Sequence, residues 1–335
     1  MSMIAGTMLT GLLCLFADDA RPGQELERKG DEIVVCGRLF HTATPIVLWT
    51  DPGGYDAYRV ERRFVPLEKA SWKETQEAGM RSPNRYGQRT RGLTPEQVER
   101  VRGGGWDLPS LQDLVDQFVV HFDACGTSKK CFQVLHDERC LSVHFMLDID
   151  GTIYQTLDLK ESAWHATIAN GRSIGIEIAN VGAYGGENAP QLERWYQRGK
   201  DGKVRLTIPG GLDSAGLRDP RASLVPARDE LVKGTIQGQE LRQYDLTPEQ
   251  YAALIKLTAT LCTVFPKIKC DYPRGEQGGV FPAKLPDDRL GAYQGLLGHY
   301  HVQTNKIDPG PAFQWEKLVE GARGLMSAPA GPGPK

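Results

Sequence analysis

Ser173-Ile174-Gly175-Ile176-Glu177-Ile178-Ala179-Asn180 alternates isoleucine with a small or acidic residue along its length. Successive side chains of a strand point to opposite faces, so Ile174, Ile176 and Ile178 share one face and Gly175, Glu177 and Ala179 the other. The isoleucine face requires a covering layer. The other face sets a carboxylate between the two smallest residues, which leaves room for a substrate. A solvent-facing strand glutamate is the plainer reading of the same residues. Upstream, Gln117-Phe118-Val119-Val120-His121-Phe122 is a second apolar run, carrying a histidine at its end. Val143 to Leu147 and Thr152 to Leu157 flank Asp148-Ile149-Asp150-Gly151, the clearest hairpin signal in the chain. Downstream, Thr247-Pro248-Glu249-Gln250 combines an N-cap, a proline at the first helical position and a capping-box glutamine. Leu254, Ile255, Leu257, Leu261, Val264 and Phe265 give that helix a broad apolar face before Pro266 ends it. A last helix is expected from near Pro311, past Trp315, to about Leu325. Strands mixed with helices imply an α/β domain: a mixed central β-sheet flanked by helices.

The flanks differ in texture. Glu32 to Phe40 and Ile46 to Trp49 read as strands closed by the turn Asp51-Pro52-Gly53-Gly54, which suggests a small β-rich N-terminal module over residues 25–66. Residues 67–110 are polar and read as a linker with one short helix from Thr94-Pro95-Glu96-Gln97. Residues 183–244 form a polar, Gly/Pro-punctuated insertion. The tail, residues 326–335, is Pro/Gly-rich and reads as disordered. Met3 to Phe16 is an apolar run too short to span a bilayer. It reads as an export leader over residues 1–24 without the usual basic start, or as a buried terminal helix. No other segment is apolar enough to cross a membrane.

The 335 residues can bury a sizeable core, and 40 basic against 42 acidic residues leave a formal charge of −2. Such a balance excludes the basic footprint of a nucleic-acid-binding protein. The seven cysteines, at positions 14, 36, 125, 131, 140, 262 and 270, form no C-x-x-C ladder. Cys125 and Cys131, and likewise Cys262 and Cys270, are close enough in sequence for short disulfide loops, or for pairs of buried thiols. Catalytic zinc requires three converging protein ligands and an open fourth position. His121 at a strand end, His299 in Gly298-His299-Tyr300-His301, and Asp308 in Lys306-Ile307-Asp308-Pro309-Gly310 are residue types that suit it. Seven histidines in a chain of this length are, by themselves, ordinary.

Val120-His121, Ser142-Val143-His144-Phe145, Ala163-Trp164-His165-Ala166, Ser173 to Glu177, Gly298-His299 and Lys306-x-Asp308-Pro309-Gly310-Pro311 occur in one order. In that order they resemble the zinc-dependent N-acetylmuramoyl-L-alanine amidases, the type 2 amidases that include the peptidoglycan-recognition proteins. The resemblance covers about residues 112 to 322 and marks residues 111–325 as the amidase domain. It implies Zn2+ held by His121, His299 and Asp308, with Glu177 as the general base that activates a zinc-bound water. It implies Lys306 as the cation beside the attacked carbonyl, His165 as a substrate-facing residue, and a short disulfide between Cys125 and Cys131. That disulfide would suit an exported, periplasmic or extracellular protein. The implied substrate is peptidoglycan or a muropeptide, cut between N-acetylmuramic acid and L-alanine; the alternative is a recognition protein that binds without cutting. Two departures matter. Val143 stands where several relatives have a tyrosine, which places more of the work on Glu177. His301 is a rival ligand, while His144 is expected to support the sheet or to back the ligands from behind, and His41 and His136 to have no part in the chemistry.

Overall fold

The computed structural model describes residues 26–80, 82–211, 215–219 and 221–328. The expected leader and residues 329–335 of the expected disordered tail lie outside them, whereas Met326 and Ser327, which the expected tail includes, end a helix. The core element is a six-stranded mixed sheet, built from β1 (Ile46–Leu48), β2 (Gln117–Phe122), β3 (Phe145–Leu147), β4 (Ile153–Gln155), β5 (Ser173–Ile178) and β6 (Gly295–Gly298). Its spatial order is β6-β2-β5-β3-β4-β1. The pairs β6–β2, β2–β5 and β5–β3 are parallel, the hairpin β3–β4 is antiparallel, and β4–β1 is parallel again. The fold is therefore the expected α/β arrangement around a mixed sheet.

Alternation divides the two faces of this sheet. Phe118 and Val120 of β2 join Ile174, Ile176 and Ile178 of β5 in the main core, under helix α1 (Pro248–Val264) and helix α2 (Trp315–Ser327). Leu254, Leu257 and Leu261 of α1 and Leu318 and Val319 of α2 are fully buried there. Each such side chain contributes roughly 1.5–3 kcal/mol of apolar burial. The start of α1 has the predicted cap: the Gln250 N–H donates to Thr247 Oγ1 at 3.1 Å and the Thr247 N–H to Gln250 Oε1 at 2.9 Å. On the opposite face, Val119 packs with Ala166, Ala169 and Leu297.

The N-terminal strands do not stand apart from this body. Ile33 and Val35, from the hairpin Glu32–Val35/Arg38–His41, enter the main core, and β1 is an outer strand of the central sheet. The physical reason is visible in β1, where Ile46, Val47 and Leu48 are all buried. A run apolar on both faces needs cover on both, and a two-stranded module offers it on one. Nor is the stretch 67–110 an open connection. It holds the helices Trp72–Glu77 and Pro95–Val101, the strand Tyr86–Gln88 and the start of the helix Leu108–Leu114, and it buries Arg85 and Arg89 completely. The insertion is ordered into a helix, Pro190–Trp195, and two hairpins, Tyr196–Arg198/Val204–Leu206 and Val232–Ile236/Gln239–Gln243.

Candidate metal centre and active-site cleft

Parallel pairing lines up the ends of three neighbouring strands. Within the ladder, His121 of β2 lies directly beside Glu177 of β5, and Gly298 of β6 beside Val120. His299 begins the helical turn that follows β6, so it arrives next to His121 at the carboxyl end of the sheet. In open α/β sheets that end is where ligands bind. The loop after the turn carries Lys306 and returns Asp308 to the same place. Cross-strand register thus assembles residues that are 178 and 187 positions from His121 in sequence.

His121 Nδ1 lies 2.9 Å from His299 Nδ1 and 2.8 Å from Asp308 Oδ2, and His299 Nδ1 lies 3.0 Å from Asp308 Oδ2. All three residues are buried. The spacing is close to the edge of a tetrahedron with nitrogen arms of about 2.0–2.1 Å, roughly 3.3 Å. His299 Nε2 meets Gln303 Oε1 at 2.7 Å, which puts its proton on Nε2 and leaves the Nδ1 lone pair facing inward. Lone pairs and a carboxylate converging at such distances call for a positive centre, and the donor set, two imidazoles and a carboxylate, suits zinc. Burial lowers the His121 pKa to about 4, helped by the neighbouring His299 and opposed by Asp308. Burial alone would raise the Asp308 carboxyl, but the neighbouring His299 and His121 hold it well below its usual range. His121 thus presents a neutral imidazole and Asp308 a carboxylate, the protonation states that ligate a metal.

The trio lines one side of a cleft of about 200 Å3, together with Glu177, Lys306, His165, Trp164, Asp123 and Arg139. Glu177 is half-buried, and burial, reinforced by Asp308 and Asp123, pushes its carboxyl well above the ordinary value, with Lys306 acting in the opposite direction. His165 stands with its Nδ1 3.0 Å from His121 Nε2 and its Nε2 3.3 Å from Ser173 Oγ. Its ring covers Gly175, where an added Cβ would come within 2.5 Å of it. That corrects one expectation: the space beside Glu177 on the Gly175 side is filled by His165 and is not open to a substrate.

Three comparisons with known proteins bear on this site. The family model described as Amidase_2, N-acetylmuramoyl-L-alanine amidase, matches residues 111–216. Over these residues the chain is similar to that family. No curated protein matches the chain. Similar solved structures include a selenomethionine derivative of AmpD, at 17% identity over 71% of this chain and 89% of that one, with a TM-score of 0.32. Another is the endolysin LysCS of Clostridium intestinale URNW, at 15% identity over 64% and 86%, TM-score 0.33. A third is AmiD of E. coli, in complex with anhydro-N-acetylmuramic acid-L-Ala-D-gamma-Glu-L-Lys, at 18% identity over 71% and 65%, TM-score 0.34. Likenesses this distant carry no argument about the site.

The Amidase_2 segment contains His121, His165 and Glu177, while His299, Lys306 and Asp308 lie beyond it in sequence and reach it through the fold. His301 is not part of the trio. Its Nδ1 accepts the Gly298 N–H at 2.8 Å and its Nε2 donates to the Phe281 carbonyl at 2.8 Å, so both nitrogens are engaged in holding the turn. His144 supports the sheet: its Nδ1 accepts the Gly175 N–H at 3.1 Å and its Nε2 donates to the Glu161 carbonyl at 3.0 Å. His136 bonds Asp137 and the Arg59 carbonyl in a buried structural cluster, and His41 bonds Asp31 at the protein surface. Cys125 and Cys131 line the cleft in mutual contact as free thiols, not as a disulfide. Residues that the motifs did not single out also shape the site. Gln303 orients His299, and Asp123 closes the turn after β2 by accepting the N–H groups of Cys125, Gly126 and Asn180. Only Asp123 had a sequence signal, an acid followed three residues later by a glycine.

Proposed function

We propose that the chain hydrolyses the amide bond between N-acetylmuramic acid and L-alanine in peptidoglycan or muropeptides, with Zn2+ held by His121, His299 and Asp308. The observation that carries this reading is the buried His-His-Asp trio with Glu177 as the cross-strand neighbour of His121. When bound, zinc supplies a Lewis acid that makes water acidic near neutrality and favours negative charge on a carbonyl oxygen. Glu177 is the general base. Its raised affinity for protons suits a carboxylate that takes a proton from the attacking water and later returns it to the departing amine of the peptide stem. Lys306, on the cleft wall, steadies the charge that develops on the attacked carbonyl oxygen. His165, held between His121 and Ser173, faces the cleft and positions the substrate. The reaction needs no covalent enzyme intermediate.

Mass spectrometry of peptidoglycan and soluble muropeptides incubated with the purified protein tests this. The expected products are stem peptides with a free L-alanine N-terminus, lost on chelation and restored by zinc. Substrate that is retained intact on the protein would replace the amidase with a muropeptide-binding module.

A further inference from the structure

The hairpin Val232–Ile236/Gln239–Gln243 belongs to the insertion, outside every motif that points to the chemistry, yet it is bonded to the loop that carries the metal-site residues. Its last residue, Gln243, is 1% exposed. Gln243 Oε1 accepts the Ala312 N–H at 3.0 Å, and its Nε2 donates to the Pro309 carbonyl at 3.1 Å and to Asn180 Oδ1 at 3.2 Å. Pro309 directly follows Asp308, and Asn180 lies on the chain leaving β5, three residues after Glu177. Asn180 is itself fully engaged: its Oδ1 also accepts the Gly182 N–H, its Nδ2 donates to the Tyr244 carbonyl, and its N–H donates to Asp123, two residues after His121. One amide therefore joins the Asp308 loop to the strand ends that carry Glu177 and His121.

The loop lies directly on this side chain. Gly310 has φ +87°, and an added Cβ there would come within 2.1 Å of Gln243 Oε1. The same hairpin holds the other end of the loop. Gln237 Nε2 donates to the carbonyls of Tyr300 and Gln303, each at 2.9 Å. Ile236 and Leu241 pack on Tyr300, with Phe122 and Ile307 against them. Residues 299–312 thus hang between two glutamines of the insertion.

We propose that Gln243 is a positioning residue of the metal centre, setting the Asp308 loop against the Glu177 strand so that the ligand trio closes around zinc. The inference rests on the zinc reading of the trio. Partners of this outer kind change metal affinity by about 10–100-fold when removed.

The test is zinc affinity, measured by competition with a chromophoric chelator, together with kcat and KM at saturating zinc. Gln243→Met keeps the volume and removes all three hydrogen bonds. Gln155→Met is the control, because Gln155 is equally buried and its amide bonds Val34 and Leu157 at the far side of the sheet. Gln243→Met is expected to weaken zinc about 10–100-fold and to lower kcat more than it raises KM, with Gln155→Met binding zinc as the parent does. Gly310→Ala, which pushes the loop off the same amide, should give the same loss and serves where Gln243→Met does not fold. A parent that binds zinc, with a Gln243→Met or Gly310→Ala protein that binds it equally well, overturns the positioning role and leaves the metal centre standing. Equal loss in Gln155→Met also overturns it. A parent that binds no zinc overturns both readings.

Discussion

At the scale of single residues, the site depends on side chains whose surroundings set their charge. Glu177 is the clearest, a half-buried acid beside a buried carboxylate. Glu177→Gln keeps its shape and removes its proton chemistry, so kcat should fall by about 10²–10⁴-fold while zinc affinity stays near that of the parent. Full activity in that variant, measured by release of stem peptide, would remove Glu177 from its role. A second buried acid has a different consequence. Asp148, in the turn of the β3–β4 hairpin, has its pKa raised to about 8 by burial and by the neighbouring Asp150. The native state keeps this proton to about pH 8, whereas the unfolded chain releases it near about pH 4. Stability is therefore fully present below the unfolded value and declines as pH rises across that window, by about 1.4 kcal/mol per pH unit for one group. Asp148→Asn keeps the acceptor for the Ile149 and Ser128 N–H groups and removes the titration. Its melting temperature relative to the parent should rise between pH 5 and pH 8. A constant difference would show that Asp148 titrates alike in both states.

Among elements, the segment between β1 and β2 carries more of the structure than its polarity suggests. Arg89 is fully buried, and its guanidinium donates to the carbonyls of Leu159, Asn170, Gly171 and Ser173 at 3.0–3.2 Å. Burial lowers its pKa to about 10, which leaves it charged at neutral pH. Ser173 opens β5, and Asn170 Oδ1 accepts the N–H groups of His165 and Ala166, so this arginine fixes the approach to the Glu177 strand and to His165 together. Arg89→Leu leaves those carbonyls without a donor and should destabilise the fold by about 3–5 kcal/mol, read from urea denaturation. This role is invisible in sequence, since Arg89 sits in a run of arginines and glycines that reads as solvated linker. The helix Pro95–Val101 in the same stretch was legible, because its start is a local signal: Thr94 and Gln97 form a capping box that needs nothing from the rest of the chain.

For the molecule as a whole, zinc should act as a ligand of the native state alone, because the trio exists only when β2, β6 and the 299–312 loop are assembled. At about one hundred times the dissociation constant a single site adds about 2.7 kcal/mol. Zinc should raise the melting temperature by several degrees, chelator should reverse it, and His121→Ala and Asp308→Ala should each abolish the response in differential scanning fluorimetry. A zinc-induced shift that survives both substitutions would place the metal elsewhere. What the sequence determined by itself is whatever one short segment can encode: the alternation of β5, the β3–β4 turn, the capped start of α1, and the residue types of six ordered motifs. Those suffice for an α/β domain and for a set of candidate ligands. The tertiary structure decided which candidates meet. His299 rather than His301 faces His121, because both nitrogens of His301 are taken by Gly298 and Phe281. It also decided that β1 completes the sheet, that His165 fills the space over Gly175, and that the insertion holds the loop carrying Asp308. The physical reason is the same each time: strand register, burial and hydrogen-bond satisfaction are settled between segments far apart in the chain, and local periodicity carries no information about a partner more than a hundred residues away.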